Sequence, residues 1–247
     1  MEEKENIQFE LTDLLIEQVR QLIVENDNDA LRVLMDDFHF ADIAEILEEL
    51  DLDEAIYIIK LLDSETTSGI LMELDEDIRE KVLENLSAKE IAEEVEELDT
   101  DDAADMIAEL PEDRKDAVIS QIEDKEHKAE IQELLTYDEG TAGALMAKEL
   151  VKVNENWNIT NCVSEMRAQA EDVTRVHSIY VVDNDEKLIG RLSLKDLLIA
   201  SPKAHISDVY IPKVDYVDVN EDVEDVAKIM AKYDLEAIPV VDENQTL

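Results

Sequence analysis

Carboxylates are the side chains of this sequence that could do chemistry. They crowd most densely in the stretch EEVEELDTDDAADMIAEL at residues 93–110. Like charges three or four residues apart on a helix destabilise it mildly, so a surface of this kind gains stability when cations bind to it. Carboxylate oxygens without histidine or cysteine partners favour hard ions, Mg2+ or Ca2+, over Zn2+ or Cu2+. The acidic stretch is therefore a candidate site for a hard divalent cation.

The same residues also have an ordinary explanation. Glutamate forms helices well, and solvated helix faces can collect it at little energetic cost. Lysine would serve equally well, however, and mixed signs would form favourable pairs four residues apart. The EF-hand pattern of a calcium loop is absent, since Asp99, Asp101 and Asp102 match it only in composition. Solvated surface and cation binding both stay open for each carboxylate.

The sequence gives little indication of a transition-metal site, a catalytic site or a disulfide. The histidines lack metal-ligand spacing, and we expect ordinary surface or core roles for all of them: His39, His127, His177 and His205. The absence of a nucleophile–base pair and of a glycine-rich phosphate loop argues against an enzyme. The single cysteine, Cys162, excludes an internal disulfide and suits a reducing compartment. Since no apolar run reaches the roughly 18–20 residues that cross a bilayer, we expect a soluble, cytosolic chain.

The net charge narrows the choice of partners. Acidic residues outnumber basic ones by 66 to 22 over 247 residues, a net charge of −44. Such a chain is repelled by nucleic-acid phosphate and by anionic lipid, so we expect neither as a partner. Hydrophobic residues make up 45% of the chain, enough to build a core. The charge is uneven, because residues 1–140 hold 46 acidic and 11 basic side chains, a net of −35.

Leucine or isoleucine recurs every twelve residues in the first half, usually followed by aspartate, serine or proline. The recurring positions are Leu50, Leu62, Leu74, Leu86, Leu98, Leu110 and Ile122. Aspartate and serine cap helix N-termini, and Ser87 with Glu90 has capping-box spacing. The segments 41–55 and 89–103 match at nine of fifteen positions. We therefore predict an all-α superhelix of short repeated helices over residues 1–136.

The second half alternates strands and helices in two similar units. The predicted strands are 178–183, 187–193, 214–219 and 237–247, and the predicted helices are 158–170, 194–200 and 222–234. The triplet Val-Val-Asp recurs 59 residues apart, at 181–183 and 240–242. This spacing indicates an internal duplication of a β-α-β-β-α unit. The second copy lacks a counterpart of LIGRLSLKDLLIA, so we expect it to be incomplete.

Proline and glycine are sparse before residue 140 and frequent after it, which favours a domain boundary in that region. We predict an acidic helical domain at 1–136, opened by a longer helix near 8–26. A linker and the first α/β unit follow at 137–201, and the second, truncated unit lies at 202–247. The predicted fold class is thus a two-domain chain, an all-α helical repeat followed by an α/β pair.

The second half resembles tandem cystathionine-β-synthase-type (CBS) domains, which are regulatory modules that often bind adenine nucleotides. The resemblance rests on the segments IYVVD, LIGRLSLKDLL and AIPVVD, and on the G-x-x-S-x-x-D signature formed by Gly190, Ser193 and Asp196. An acidic helical repeat and the segment YDEGTAGALM precede this pair. In that order, the whole chain resembles the cytosolic region of MgtE-type magnesium transporters and channels.

The resemblance implies a use for the charge. In this family a membrane-spanning pore follows the CBS pair, and the cytosolic part forms a homodimer through its CBS domains. Mg2+ bound between the acidic domain and the CBS domains stabilises a compact state that closes the pore. The implied ligands are Asp101, Asp105, the carbonyl of Ala144 in the linker, Asp222, Glu224, the carbonyl of Ala231, and Asp234. Gly69 stands where relatives can carry a further acidic ligand.

Nucleotide binding is implied less directly. Ser193 and Asp196 lie where CBS domains often hold a ribose, whereas Ser178 stands where ATP-binding relatives can carry an aromatic residue. ATP binding and a structural role both stay open for Ser193 and Asp196. An alternative function also stays open, an acidic solenoid scaffold with a CBS module that binds a basic protein partner or a nucleotide. Compaction of the chain by Mg2+ would favour the magnesium sensor over the scaffold.

Overall fold

A computed structural model describes residues 9–169, 173, 176 and 178–247 of the chain. The chain divides into two compact units. The first runs up to Leu98 and includes Asp105–Lys128, and the second joins Asp99–Ala104 with Ala129–Leu247. The domain limits at 136 and 201 that we expect from the sequence stay predictions.

Short helices fill the first part of the described chain. In order they are α1 (Asp13–Glu25), α2 (Asn28–Met35), α3 (Phe40–Glu48), α4 (Leu52–Ile59), α5 (Ser64–Glu73), α6 (Glu76–Glu84), α7 (Ala88–Val95), α8 (Thr100–Ala108), α9 (Glu112–Gln121) and α10 (Lys125–Leu134). The predicted caps are confirmed at Asp63, which accepts from the Thr66 N–H, and at Ser87, which forms a full capping box with Glu90. The helical repeat of the predicted fold class is therefore confirmed.

The opening helix is shorter than predicted. It begins at Asp13 because the Thr12 hydroxyl accepts the Leu15 N–H at 3.2 Å and caps the first turn. It ends at Glu25, because the next residue, Asn26, has a left-handed backbone (φ 53°) that terminates the helix. Residue 8, where the prediction began, lies outside the described residues.

Alternate helices pack together and build the core of the first unit. Helix α3 packs on α5, α5 on α7, and α7 on α9. Each buries an aliphatic side chain completely or almost completely, as Ile43, Ile70, Ile91 and Val118 show. Helices of eight to ten residues are unstable alone, and full burial of one such side chain contributes about 1.5–3 kcal/mol. Stacking of successive repeats therefore holds these short helices in place.

Arginines bind the carboxyl ends of helices. Each of the four arginines of residues 9–136 donates to a backbone carbonyl at the end of a helix elsewhere in the repeat. The donors and acceptors are Arg20 to Glu49, Arg32 to Leu61, Arg79 to Leu71, Met72 and Leu74, and Arg114 to Leu83 and Leu86. Because the last carbonyls of a helix lack partners inside it, these cations stabilise helix ends as well as balancing acid.

Glutamates accept hydrogen bonds from backbone N–H groups before the N-termini of helices, at equivalent positions of two repeats. The Glu48 carboxylate accepts the Asp75 N–H at 3.0 Å, before α6. The Glu96 carboxylate accepts the Asp124 N–H at 3.1 Å, before α10, and also accepts the Glu123 N–H. Glu48 and Glu96 are 96 − 48 = 48 residues apart, the same offset as between the matching segments 41–55 and 89–103. The duplication seen in the sequence thus extends to its long-range hydrogen bonds.

The first α/β unit has a three-stranded sheet. Its elements are β1 (Val151–Asn154), α11 (Ile159–Gln169), β2 (Ile179–Val182), β3 (Leu188–Leu192) and α12 (Leu194–Ile199), followed by a 3-10 turn at Ile206–Asp208. Strand β1 pairs parallel to β2, and β2 pairs antiparallel to β3. The core between sheet and helices includes Val151, Val153, Cys162, Val181 and Leu197. The predicted β-α-β-β-α order is confirmed.

The second copy contains β4 (Val217–Asp218), α13 (Val223–Tyr233) and β5 (Val240–Val241). Strand β4 pairs parallel to β5. The strand predicted at 214–219 is longer than the one observed, because only two residues find a partner on β5. Helix α13 has no buried residue, although its apolar positions recur at helical spacing.

Glu94 is an acidic residue inside the first unit. Its side chain on α7 is buried, and the Thr67 hydroxyl of α5 donates to Glu94 Oε2 at 2.6 Å. Burial raises the pKa of Glu94 to about 7, and the nearby charges of Glu93, Glu97 and Asp63 raise it further, against the opposing effect of the Thr67 hydrogen bond. A carboxyl group with this pKa is largely neutral below pH 7 and charged above it.

This environment predicts a pH-dependent stability. Because the folded-state pKa lies above the unfolded value near 4.5, unfolding releases a proton between pH 4.5 and 7, and stability falls as pH rises through this range. Glu94→Gln keeps an acceptor for Thr67 but cannot ionise. We expect the variant to match the wild type at pH 4 and to exceed it by about 3 kcal/mol at pH 8, in denaturant unfolding.

The matched control is Glu84→Gln, which removes an exposed charge on α6 of the same unit. The free energy of unfolding of this control should differ from that of the wild type by much less, and the difference should not change near pH 7. A difference between Glu94→Gln and the wild type that is constant from pH 4 to pH 8 would contradict the assignment.

Candidate metal centre

Helix α8 carries the acidic pair predicted for the first domain. Asp101 lies in its first turn and Asp105 one turn later, on the same face. Asp101 is half-buried and Asp105 is exposed. Burial raises the pKa of Asp101 above its ordinary value, against the effect of backbone hydrogen bonds, and Asp99 raises it further. The hydrogen-bonded partner Glu109 does most to raise the pKa of the Arg79 guanidinium, and the nearby charge of Asp105 raises it a little further.

The linker pairs with the start of the second α/β unit. Thr141 forms a bridge opposite Asp222, and the Ala142 N–H donates to the Glu221 carbonyl at 2.8 Å. The Gly140 carbonyl accepts the Val223 N–H at 3.1 Å, at the first turn of α13. The structure therefore brings the linker segment that contains Ala144 beside Asp222.

Gly143 makes this pairing possible. Its N–H donates to the Val219 carbonyl at 2.8 Å. A Cβ atom at this position would lie 2.7 Å from the Tyr137 ring and 2.9 Å from the Val219 carbonyl oxygen, closer than such atoms approach. Only glycine therefore allows the linker to lie between the Tyr137 ring and the backbone after β4.

The predicted residues of α13 occupy its two ends. Asp222 caps the N-terminus, since its carboxylate accepts the Glu224 N–H at 2.8 Å. Asp234 ends the helix in a left-handed conformation (φ 53°), with exposed Ala231 in the preceding turn. The 12 residues from Asp222 to Asp234 span about 18 Å along a helix. The structure does not bring Asp222 and Asp234 together, so these residues belong to separate sites if they bind metal.

Gly69 has a packing role in the first unit. A Cβ atom there would lie 2.5–2.9 Å from atoms of the Phe40 ring, which covers this turn of α5. A larger residue would require the partly exposed ring to move. The ring thus occupies the space that an acidic side chain would need.

The predicted residues supply oxygen atoms alone, which fits Mg2+. Within the described residues, no group of three or more His, Cys, Asp or Glu side chains is placed to hold a metal ion. Asp102, next to Asp101 on α8, and Asp225, on the first turn of α13, add further exposed carboxylates beside the predicted ones. The predicted ligand set stays a prediction.

The predicted nucleotide residues lie at the start of α12. Ser193 precedes the helix without capping it through its side chain, and Asp196 lies half-buried in the first turn. Ser178, before β2, is hydrogen-bonded to the side chain of Tyr180. The structure brings Ser193 and Asp196 to one end of β3.

The described histidines have structural partners. His39 caps α3 by accepting the Ala41 N–H, His127 lies 3.1 Å from the Val95 carbonyl, and His205 lies 3.3 Å from the Asn156 carbonyl. His177 lies outside the described residues. Among the part of the chain that the structure describes, no helix is long and apolar enough to cross a membrane.

Sequence reasoning did not single out Thr100 and Glu149, which bind each other across 49 residues of sequence. The sequence shows one sign of it, a threonine where the matching segment has a leucine. In the matching segments 41–55 and 89–103, the position of Thr100 corresponds to Leu52. Leu52 is partly exposed, whereas Thr100 is completely buried. A polar residue that is buried where its repeat partner is exposed indicates a specific partner.

An acidic helical repeat joined to a CBS pair defines the class of protein as a regulatory region of the CBS type. Comparison with family models agrees: the MgtE intracellular N domain matches residues 38–140, and the CBS domain matches residues 142–203 and 206–247. The solved cytosolic domain of the Mg2+ channel MgtE in complex with ATP is 32% identical, with a TM-score of 0.86 over 94% of each chain. The chain therefore belongs to the MgtE family and corresponds to its cytosolic region.

Further relatives support the assignment to the MgtE family. The soluble part of a magnesium transporter superposes with a TM-score of 0.80 at 26% identity, over 94% of this chain and 91% of the other. The magnesium transporter MgtE of Thermus thermophilus is 41% identical over 111 residues, and that of Bacillus subtilis is 30% identical over 113 residues. These matches cover 45% and 46% of this chain, and about a quarter (25%) of the length of each transporter.

Proposed function

We propose that this chain is the Mg2+-sensing and gating region of a magnesium channel or transporter. It lies on the cytoplasmic side of the membrane, and its direct partner is the transmembrane domain of the same protein. The relatives are named magnesium transporters or a Mg2+ channel, and this chain matches their cytosolic part. Their regulatory architecture favours a sensor over an enzyme.

The observation that carries the proposal is the net charge of −35 on residues 1–140. The arginines of the repeat bind helix carbonyls and also pair with carboxylates, as Arg20 does with Glu54 and Arg79 with Glu109, and the net charge already counts them. A pair of like charges close together costs on the order of 1 kcal/mol in partly solvated surroundings. A compact arrangement of such surfaces is therefore unfavourable until divalent cations bind between them.

Mg2+ acts as the ligand of the compact state. An ion that binds one state more tightly than another shifts the equilibrium by its differential affinity. High Mg2+ therefore favours the compact state that closes the pore, and low Mg2+ lets the acidic surfaces separate. We assign ligand roles to Asp101 and Asp105 on α8, and to the linker and α13 positions Ala144, Asp222, Glu224, Ala231 and Asp234.

Removal of the α8 carboxylates tests the assignment. In Asp101→Asn with Asp105→Asn, we expect the Mg2+ concentration at half-maximal compaction to rise about tenfold, the scale on which loss of a metal-binding contact lowers affinity. Small-angle X-ray scattering over a Mg2+ titration measures this midpoint.

A double variant on α9, Asp113→Asn with Asp116→Asn, removes two exposed charges from the same repeat. Lower repulsion alone moves the midpoint to lower Mg2+, so the two double variants should shift in opposite directions. Equal shifts toward lower Mg2+ would overturn the ligand assignment. A wild type whose dimensions do not respond to Mg2+ would instead favour the scaffold that binds a basic partner.

An exposed apolar face on α12 supports a homodimer through the CBS domains. Leu194 is 59% exposed, Leu198 76% and Ile199 74%, at positions that share one side of the helix. Large aliphatic side chains clustered in this way mark interaction surfaces. We propose that α12 contributes to the contact between two copies of this chain.

A charge placed in this face tests the contact. We expect Leu198→Glu to weaken self-association by at least about tenfold, because a carboxylate would lose its hydration inside an apolar interface. Sedimentation equilibrium over a concentration series gives the dissociation constant. Lys195→Glu, an exposed charge change on the same helix, is the control. Equal association of wild type and Leu198→Glu would exclude this surface, and a wild type that stays monomeric would exclude the dimer.

Adenine nucleotide is a second ligand that the comparisons favour, since the solved relative at 32% identity carries ATP. We propose that Asp196, half-buried at the start of α12, accepts a hydrogen bond from the ribose. Calorimetric titration should detect ATP binding to the wild type and a loss of about tenfold in affinity in Asp196→Asn, the scale expected for one hydrogen bond to a charged group. Unchanged affinity would restrict Asp196 to a structural role.

A further inference from the structure

Thr100 and Glu149 form a clasp at the start of α8. The backbone N–H of Thr100 donates to Glu149 Oε1 at 3.0 Å, and its hydroxyl donates to Glu149 Oε2 at 2.8 Å. The same hydroxyl oxygen accepts the Lys148 N–H at 2.9 Å. Thr100 is completely buried, and Glu149 is half-buried. One carboxylate therefore takes both donors of one residue, and hydrogen bonds to a charged acceptor are stronger than neutral ones.

The clasp joins α8 to the sheet of the first CBS unit. Glu149 lies two residues before Val151, where β1 begins, and β1 is held by its pairing with β2. The Lys148 ammonium adds an ion pair with Glu133 of α10 at 2.8 Å. In agreement with these bonds, Asp99–Ala104 belong to the same compact unit as the CBS sheet. The position of the first turn of α8 is thus fixed by the position of β1.

This arrangement is specific to one copy of the repeat. At the equivalent position of the other copy, Leu52 opens α4 and is 37% exposed. An ordinary helix start in this repeat therefore needs no buried threonine and no distant glutamate. The copy that has the clasp is the one that carries the predicted ligand Asp101, directly after Thr100.

We propose that Glu149 is a positioning residue for Mg2+ sensing, which holds Thr100 and thereby fixes the Asp101 carboxylate at the start of α8. The inference rests on the proposed function, since it requires Asp101 to bind Mg2+. Glu149 does not contact the ion. It determines the direction in which the first turn of α8 presents its carboxylate, and it couples that direction to the CBS strand β1.

The clasp itself is tested without Mg2+. Thr100→Val removes the hydroxyl at nearly constant volume, and Glu149→Gln removes the charge of the acceptor. We expect hydrogen exchange of the amides of residues 100–103 to be about tenfold faster in both variants, the scale of one lost hydrogen bond to a charged group. Thr100→Ser keeps the hydroxyl and should restore protection. Glu165→Gln, an exposed charge removal on α11, should leave exchange at α8 unchanged.

Its role in sensing is tested with Mg2+. In scattering titrations, Thr100→Val and Glu149→Gln should raise the Mg2+ concentration at half-maximal compaction by at least about threefold. This is the effect expected when the Asp101 site loses part of the stabilisation that one hydrogen bond provides. Thr100→Ser and Glu165→Gln should keep the wild-type midpoint. Circular dichroism establishes that each variant is folded. If Thr100→Val does not fold, Glu149→Gln alone provides the test.

The outcomes separate this inference from the proposed function. Unchanged exchange at residues 100–103 in both variants would overturn the clasp. Faster exchange with an unchanged midpoint would overturn the positioning role while leaving Mg2+ sensing intact. Absence of compaction in the wild type would overturn the proposed function and the positioning role together, and the exchange result would still decide whether the clasp exists.

Discussion

Repulsion between carboxylates is the constraint within which the rest of this structure is built. The acidic residues of the repeat outnumber its cations so far that ion pairs such as Arg20–Glu54 and Arg79–Glu109 still leave a net charge of −35 on residues 1–140. Some glutamates find N–H donors before the N-termini of helices, as Glu48 and Glu96 do. These pairings satisfy backbone groups that would otherwise lack partners, yet they leave the net charge in place. The fold is stable through its apolar core, and the charge stays available to respond to cations.

Helix ends connect this charge to the CBS units. Asp101 lies in the first turn of α8, and Asp222 caps the start of α13. Both starts are held by segments from elsewhere in the second compact unit: Glu149 binds Thr100, and the Gly140 carbonyl accepts from Val223. A carboxylate on a helix that is fixed at its end moves with the segment that fixes it. Under the proposed function, an ion bound at such a place is therefore coupled to the positions of the linker and of β1.

Much of the fold was predictable because local signals and repeat spacing agree. The twelve-residue pattern with its capping residues located the helices from α4 onward, and the Val-Val-Asp triplets located β2 and β5. The short strand β1 was not located, since four residues of ordinary composition carry too weak a signal. The burial of Glu94 and the partner of Thr100 could not be predicted from the sequence, because both depend on contacts between residues far apart in it. The packing of Phe40 on Gly69 is of the same kind.

The most direct test compares Mg2+ with a monovalent salt at equal ionic strength. Nonspecific screening depends on ionic strength alone, whereas bound divalent ions act through defined ligands. The radius of gyration of this chain is measured by small-angle scattering in millimolar MgCl2 and in NaCl of matched ionic strength. A charge-repulsion sensor predicts compaction in MgCl2 well beyond that in NaCl. Equal dimensions in the two salts would contradict the assignment of the acidic repeat as a magnesium sensor.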